Sequence, residues 1–428
     1  MGKRRCPVHI LNGRMKPPVT AAYGHGTALR VLVVAFAAWL LTNVDQSLFA
    51  YAVPQLRVDF DLDLAGISYI VSLSFIAGIF IPIGVGMLTD RYGARWTLPL
   101  CLGVSALLVG VQGLVIDVSS FTSARVASFG LSAALSPITA AMVLSAAPLK
   151  WRAMAVAVLQ IAYPLGWLVS SLIVAPLIEQ LGWRPLFFVG FAIAPIGFLL
   201  MLLLPKHMFG PRPAPEHGAA RTGLPVAALF RQPYRRTTLL CAVGFFFNSG
   251  AVAATAFYLP TFLNEVRGYG LGDSALIVGV GYGVSVIGYL GSAWVSTHLL
   301  TRRDTIMLWN VVGALLFLAT IWGPSRMAED VFAFGLLSIF YYGTSAILIT
   351  FVLEAFPVHL RATAAAVCGT ACVSGSMATF PVLVAYLVPG LGWQTTFSVI
   401  VPPALLISTL AISKMPRTFA PHAEDIPG

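Results

Sequence analysis

Apolar stretches of about 20 residues, the length that crosses a hydrocarbon core, recur twelve times along this chain. They run over 30–52, 66–88, 96–115, 121–147, 153–177 and 185–204, then over 238–262, 274–298, 305–323, 331–353, 363–387 and 392–413. Such runs are too long for strands, and backbone polar groups in lipid must find partners within their own segment, so each is expected to be a helix. The chain is 58% hydrophobic and only 10% charged, against about 25% charged residues in a soluble domain. An all-α membrane protein with twelve spanning helices follows.

Charge is divided unevenly among the connections. One set holds the amino-terminal arm (Lys3, Arg4, Arg5, Arg14, Lys16, Arg30), Arg91 and Arg95, Lys150 and Arg152, Arg302 and Arg303, and Arg361. The same set takes in a central linker (Lys206, Arg212, Arg221, Arg231, Arg235, Arg236) and the tail (Lys414, Arg417). The other set has only Arg57, Arg184, Arg267 and Arg326, beside acids such as Asp59, Asp61, Asp63, Asp117 and Asp273. By the positive-inside rule both termini are expected in the cytoplasm, and the location expected is a bacterial inner membrane. The net charge of +10 then reports topology and contact with anionic headgroups rather than a nucleic-acid surface. The first 27 residues carry no signal-peptide pattern, because the apolar run after them is too long.

Cys368 and Cys372 share a helical face, but no histidine lies near them in sequence, so the five cysteines read as packing residues. No metal, cofactor or disulfide is expected. No nucleophile–base pair or nucleotide loop supports an enzyme.

The chain also repeats itself. Ala146-Ala147-Pro148 with Arg152, Ala153 and Ala155 returns half a chain later as Ala355-Phe356-Pro357 with Arg361, Ala362 and Ala364. Gly182-Trp183 and Phe187 return as Gly392-Trp393 and Phe397, and Gly84 and Arg95 as Gly291 and Arg302. Each pair falls between equivalent windows, so two related six-helix halves are expected. The expected division is a disordered basic arm (1–28), a first bundle (29–204), a cytoplasmic linker (205–236), a second bundle (237–415) and a tail (416–428). Parallel repeats of this kind build secondary transporters with a substrate site between the halves.

Gly86-Met87-Leu88-Thr89-Asp90-Arg91-Tyr92-Gly93-Ala94-Arg95 closely resembles the G-x-L-A-D-R-x-G-R-[KR] signature of the major facilitator superfamily, departing where Ala94 replaces a basic residue. Glu354-Ala355-Phe356-Pro357 with Arg361 resembles that family's E-x-[FY]-P-x-x-x-R element. The resemblance implies a gating role for Gly86, Asp90, Arg91, Gly93, Arg95, Glu354 and Arg361. In the second half Thr297 stands where Asp90 would be, so no matching lock is expected there. Within the superfamily, Asp45 and Pro54 are similar to the first-span pattern of aromatic acid:proton symporters, although only its second Asp survives. Arg125 matches an arginine early in the fourth span of anion-uptake relatives. The fifth-span motif of drug antiporters is absent, which favours uptake.

Asp45 is the one carboxylate well inside an apolar window, and Arg125 is the one comparably placed cation. An unpaired charge at bilayer depth costs at least about 2.5–3.5 kcal/mol, so such residues face a bundle interior or an aqueous path. Asp45 is the expected proton carrier and Arg125 the expected anion site; a structural ion pair and a snorkelling arginine are the plainer alternatives. Further substrate-site candidates are Asn43, Phe49, Gln160, Tyr163, Asn248, Tyr258, Tyr282, Tyr341 and Tyr342, polar or aromatic residues of cavity-lining spans. The expected function is proton-coupled uptake of a small organic anion by a monomer in the lipid bilayer. Export of a drug-like compound or metabolite and a non-transporting receptor or scaffold remain as alternatives.

Overall fold

Proline and glycine set where the long apolar segments begin, bend and stop. The computed structural model describes residues 25–148, 152–201 and 226–417. Most of the basic arm, linker positions 205–225 and the tail beyond 417 lie outside the described residues.

The first half contains α1 (His25–Asp59), α2 (Leu64–Tyr92), α3 (Ala94–Gln112), α4 (Val118–Ala133), α5 (Leu135–Ala146), α6 (Arg152–Leu181) and α7 (Trp183–Met201). After the short α8 (Val226–Leu229) come α9 (Arg235–Ala256), α10 (Leu259–Glu265), α11 (Leu271–His298), α12 (Arg302–Trp322) and α13 (Met327–Ala355). The chain ends with α14 (Val358–Ala364), a π-helical stretch (Ala365–Ala371), α15 (Cys372–Leu391) and α16 (Trp393–Ser413). Among the described residues, eleven helices are long and apolar enough to cross a membrane, counting α4 with α5 and the π stretch with α15. The window at 185–204 forms α7, a 19-residue helix.

Two breaks have a common cause. Pro137 has no N–H to return to the carbonyl of Ala133, and α4 gives way to α5 at Ala134. Pro260, in the first turn of α10, separates that helix from α9 in the same way. Asp63, Asp117 and Thr301 cap α2, α4 and α12 by accepting from the backbone N–H of Gly66, Ser120 and Asp304. Gly182 and Gly392 occupy equivalent turns, each with φ near +73°, a conformation that glycine enters without steric cost. That geometry lets α7 and α16 start directly after α6 and α15.

Two pairs of helices carry the contact between the halves: α6 lies along α11, and α2 along α15. Exchanging equivalent helices of the repeat turns one pair into the other. In lipid no hydrophobic drive brings helices together, so close approach must supply the attraction. Gly279 supplies it on α11, since a Cβ there would overlap Ser171 of α6.

The buried apolar clusters show where the halves meet. One cluster joins them, drawing Phe49 and Trp167 from the first and Phe257, Tyr282 and Phe397 from the second. The others are each private to one half. Val34, Leu98, Leu102 and Met142 fill the first half near the linker, and Leu229, Ile306, Phe351 and Phe356 fill the second. The halves are therefore closed at the end distal to the linker and separate at the linker end. Among the described residues, Gly84 of α2 and Gly291 of α11, toward the linker end, have no atom of another element within 4 Å of where a Cβ would stand.

Candidate functional site

The charged part of the site forms inside the first half. Asp45 is 6% exposed and Arg125 3%. A Cβ on Gly190 of α7 would lie 2.8 Å from Asp45 Oδ1, 2.9 Å from Leu48 Cδ1 and 3.2 Å from Val109 Cγ1. The carboxylate thus sits where α1, α3 and α7 converge, on a patch of α7 with no side chain. Arg125 reaches inward from α4 with its guanidinium 4.5 Å from the ring centre of Phe49 and 5.5 Å from that of Phe129. Phe49 stands one turn after Asp45 on α1, which brings Arg125 to the acid's neighbourhood, yet among the described residues no ion pair within 4.0 Å joins the two. Phe75 packs on Phe129 at 4.5 Å and on Phe257 at 6.0 Å, and Phe49 meets Phe257 at 6.2 Å. The arginine therefore lies beneath an aromatic lining shared by both halves.

A second group crosses the interface between α6 and α11. Trp167 stacks on Tyr282, and Tyr282 on Tyr342, each at 4.5 Å and 27° between planes. Tyr163 meets the edge of Tyr282 at 6.1 Å, and Tyr51 donates to the carbonyl of Trp167 at 3.2 Å. Among the described residues, several enclosed polar atoms here have no hydrogen-bond partner: Trp167 Nε1, the hydroxyl of Tyr282 and, on α1, Asn43 Oδ1. Asn43 faces Gly166, next to Trp167 in sequence, where a Cβ would lie 2.6 Å from its own Cβ. Buried polar groups without partners cost about 1–3 kcal/mol each, and they mark places where water or a ligand binds.

Of the other candidates, Tyr341 touches the second group edge-on through Tyr342 at 5.1 Å, and the rest lie apart from both groups. Gln160 is exposed on α6, one turn nearer the linker end than Tyr163. Tyr258 donates to the carbonyl of Leu64 at 3.3 Å, and its ring faces Trp393 at 5.9 Å, at the distal closure. The hydroxyl of Tyr341 is engaged by Ala251 O and Thr255 Oγ1. Asn248 donates to Asn310 Oδ1 at 2.9 Å, and Asn310 donates to Ser408 at 3.3 Å, a neutral network inside the second half. Hydropathy gave no signal for Gly190 or Asn310. Nor did it mark the buried ion pair of Arg267 with Asp330 (2.6 Å), which lies at a helix end outside the apolar windows.

The loop residues group at the linker end. Gly93, with φ +87°, donates to Thr89 O at 2.8 Å, and Thr89 Oγ1 reaches Thr97 Oγ1 at 2.9 Å. This fixes the turn between α2 and α3, on which Gly86, Asp90, Arg91 and Arg95 are carried. Arg91 lies over the ring of Tyr92 at 5.4 Å. In the second half Arg302, the counterpart of Arg95, pairs with Glu354 at 2.7 Å, and Arg361 donates to Phe356 O at 3.0 Å. These contacts tie the start of α12 to the end of α13.

At the distal end the halves are joined by polar contacts. Arg57 pairs with Glu265, Tyr69 bonds Tyr386, Ser72 donates to Ala378 O at 2.6 Å, and the N–H of Gly272 donates to Glu179 at 3.3 Å.

Comparison with solved structures finds the same architecture. A bacterial homolog of the human lysosomal transporter Spinster, in an inward-facing and occupied conformation, matches with a TM-score of 0.69 at 14% identity, over 90% of this chain and 95% of that one. The nucleoside transporter NupG matches with a TM-score of 0.69 at 17% identity, over 91% and 100%. At such identities the likeness establishes the fold alone. No curated protein matches the sequence. The sequence profile of the Major Facilitator Superfamily matches residues 33–379. The chain belongs to the Major Facilitator Superfamily and has the fold of its multi-pass membrane transporters.

Proposed function

We propose that this protein is a proton-linked secondary transporter that carries a small organic anion inward by alternating access. The reading takes α7 as the sixth of twelve spans, with arm, linker and tail on the cytoplasmic side of a bacterial inner membrane. With that orientation, distal closure and linker-end separation make the present state inward-facing. One observation carries the reading: two opposite charges are buried near each other without direct contact. Removing both from water is costly, and only a close pair offsets that cost, so a loose pair has capacity for another partner. A proton on Asp45 cancels its charge and leaves Arg125 to attract a carboxylate. Deprotonation toward the cytoplasm restores the competing charge and releases the anion.

The test is uptake into proteoliposomes of a panel of labelled aromatic and aliphatic carboxylates under an imposed pH gradient. Wild type should accumulate at least one of them. Asp45→Asn should lose accumulation but keep exchange of the same compound across the membrane. Equal accumulation by both proteins would remove Asp45 from the mechanism, and accumulation only against the opposite gradient would make the protein an exporter.

The unpartnered groups favour a second reading. Asn43 Oδ1, Trp167 Nε1 and the Tyr282 hydroxyl are neutral and lie beside stacked rings, which suits a flat, uncharged, hydrogen-bonding substrate. NupG, a fold neighbour, is a nucleoside transporter. Labelled nucleosides in the same assay separate the two readings.

A further inference from the structure

At the short distances of a bundle interior, opposite charges attract far more strongly than they do in water. Asp45 and Arg125 nevertheless stay apart, so something must hold each in place. On the acid's side Gly190 provides a seat that any side chain would fill. On the base's side the guanidinium rests 4.5 Å from Phe49 and 5.5 Å from Phe129, a geometry in which the ring quadrupole attracts a cation, the more so away from water. Phe49 is itself held, fully buried, between Phe121 at 6.2 Å and Phe257 at 6.2 Å. It also stands four residues after Asp45, on the same face of α1, so one helical turn carries both the acid and the ring that detains its counter-charge.

We infer that Phe49, assisted by Phe129 and by the bare surface of Gly190, is a positioning residue that keeps Arg125 from closing onto Asp45 and so leaves the carboxyl free to exchange a proton. The inference rests on the proposed role of Asp45. Among the described residues, every other charged group on the helices packed against α1 stands near a helix end, Glu265 of α10 and Asp90 and Arg91 of α2 as much as Arg95, Glu179, Arg184 and Asp273.

The experiment needs no transported compound, because the probe is the proton. Purified full-length protein in lipid vesicles is titrated while the carboxyl band of Asp45 is followed by infrared difference spectroscopy, assigned by its absence in Asp45→Asn. Phe49 is replaced in turn by mono-, di- and trifluorophenylalanine, which drain the ring quadrupole while nearly preserving its shape. The titration midpoint should fall with each fluorine, and Phe49→Leu should lower it by about 1 pH unit or more, as expected when an opposite charge comes into contact. The direction follows because a closer guanidinium favours the ionised carboxylate. A midpoint indifferent to fluorination overturns the positioning role while leaving Asp45 as a proton carrier. Absence of any titrating Asp45 band in the wild type would instead sink the proton-coupled reading itself.

Discussion

At the end of α1, Asp59 accepts from Trp183 Nε1 at 2.8 Å and pairs with Arg184 at 2.6 Å, all within the first half. At the end of α10, Glu265 accepts from Trp393 Nε1 at 2.8 Å, in the same arrangement behind a glycine of the same φ. Position 394, however, is glutamine, and its amide donates to Ile321 O instead. Glu265 is left to pair with Arg57, across the interface. A single arginine, present in one copy of a repeated corner and missing from the other, separates an internal brace from a strap between the halves. The interiors differ as well: the first half buries Asp45 and Arg125, whereas the second is held by the neutral set Asn248, Asn310, Thr344 and Ser408. Similar helices thus serve different ends: one bundle holds an unjoined acid and base at mid-span, and the other a satisfied amide network there, its buried Arg267–Asp330 pair being closed and at a helix end.

The contrast between interiors gives the largest expected effects. Asp45→Asn preserves shape and removes a buried charge, so thermal stability should hold or rise while pH-driven accumulation falls about tenfold or more, within the range of one protonation step. Asn310→Leu should do the reverse. It leaves the amide of Asn248 and the hydroxyls of Thr344 and Ser408 short of a partner, lowering stability by about 1–3 kcal/mol in a thermal melt while the pH dependence of transport is unchanged. A loss of coupling in Asn310→Leu with no loss of stability would erase the distinction.

The strap gives a smaller effect. Side chains of Arg57 and Glu265 are 24% and 39% exposed, and pairs of that exposure contribute about 0.2–1 kcal/mol. Arg57→Gln should therefore shift the ratio of distal-open to distal-closed molecules only a few-fold, read as a longer distance between spin labels on α2 and α15. Gln394→Arg should act in the same direction by restoring to Glu265 the kind of partner that Asp59 already has. Combined, the two changes should add little to either alone. Full additivity would show that Arg57 and the cation introduced at position 394 do not compete for one carboxylate.

The smallest effect concerns the caps. Asp117 accepts from Ser119 Oγ at 2.6 Å and from the N–H of Ser120 at 2.8 Å, and these bonds hold its carboxyl down to about 2. Arg326, before α13, makes no such side-chain cap. A carboxyl lowered in the folded state stabilises above its unfolded value near 3.9 and loses that contribution as pH falls toward 2. The stability difference between wild type and Asp117→Ala, read in thermal melts across pH, should be constant above about pH 4 and shrink below it.

Much of the architecture could be read along the chain, because lipid penalises polar groups one segment at a time. Apolar length marks helices, a lone Asp45 or Arg125 is conspicuous against it, and a turn that requires positive φ keeps its glycine at 93, 182 and 392. The repeat was visible for the same reason: Gly-Trp pairs and Pro-x-x-x-Arg spacings serve local geometry at equivalent ends of equivalent helices. What those signals lack is the rotation of each helix about its axis and the identity of its distant neighbour. Tyr258, Tyr341 and Asn248 look as available in sequence as Tyr163, Tyr282 and Tyr342, yet three are bonded at the distal closure or inside the second half and three meet around the α6–α11 stack.

Sequence alone determined that this chain is a membrane-embedded helical repeat with one acid and one base out of place, since burial in hydrocarbon acts on composition. Tertiary structure decided that the acid rests against Gly190, that the base lies over Phe49 rather than on the acid, and that the halves meet at the distal end. Those outcomes depend on close packing between residues far apart in the chain, where a single Cβ or ring face determines what a charge can touch.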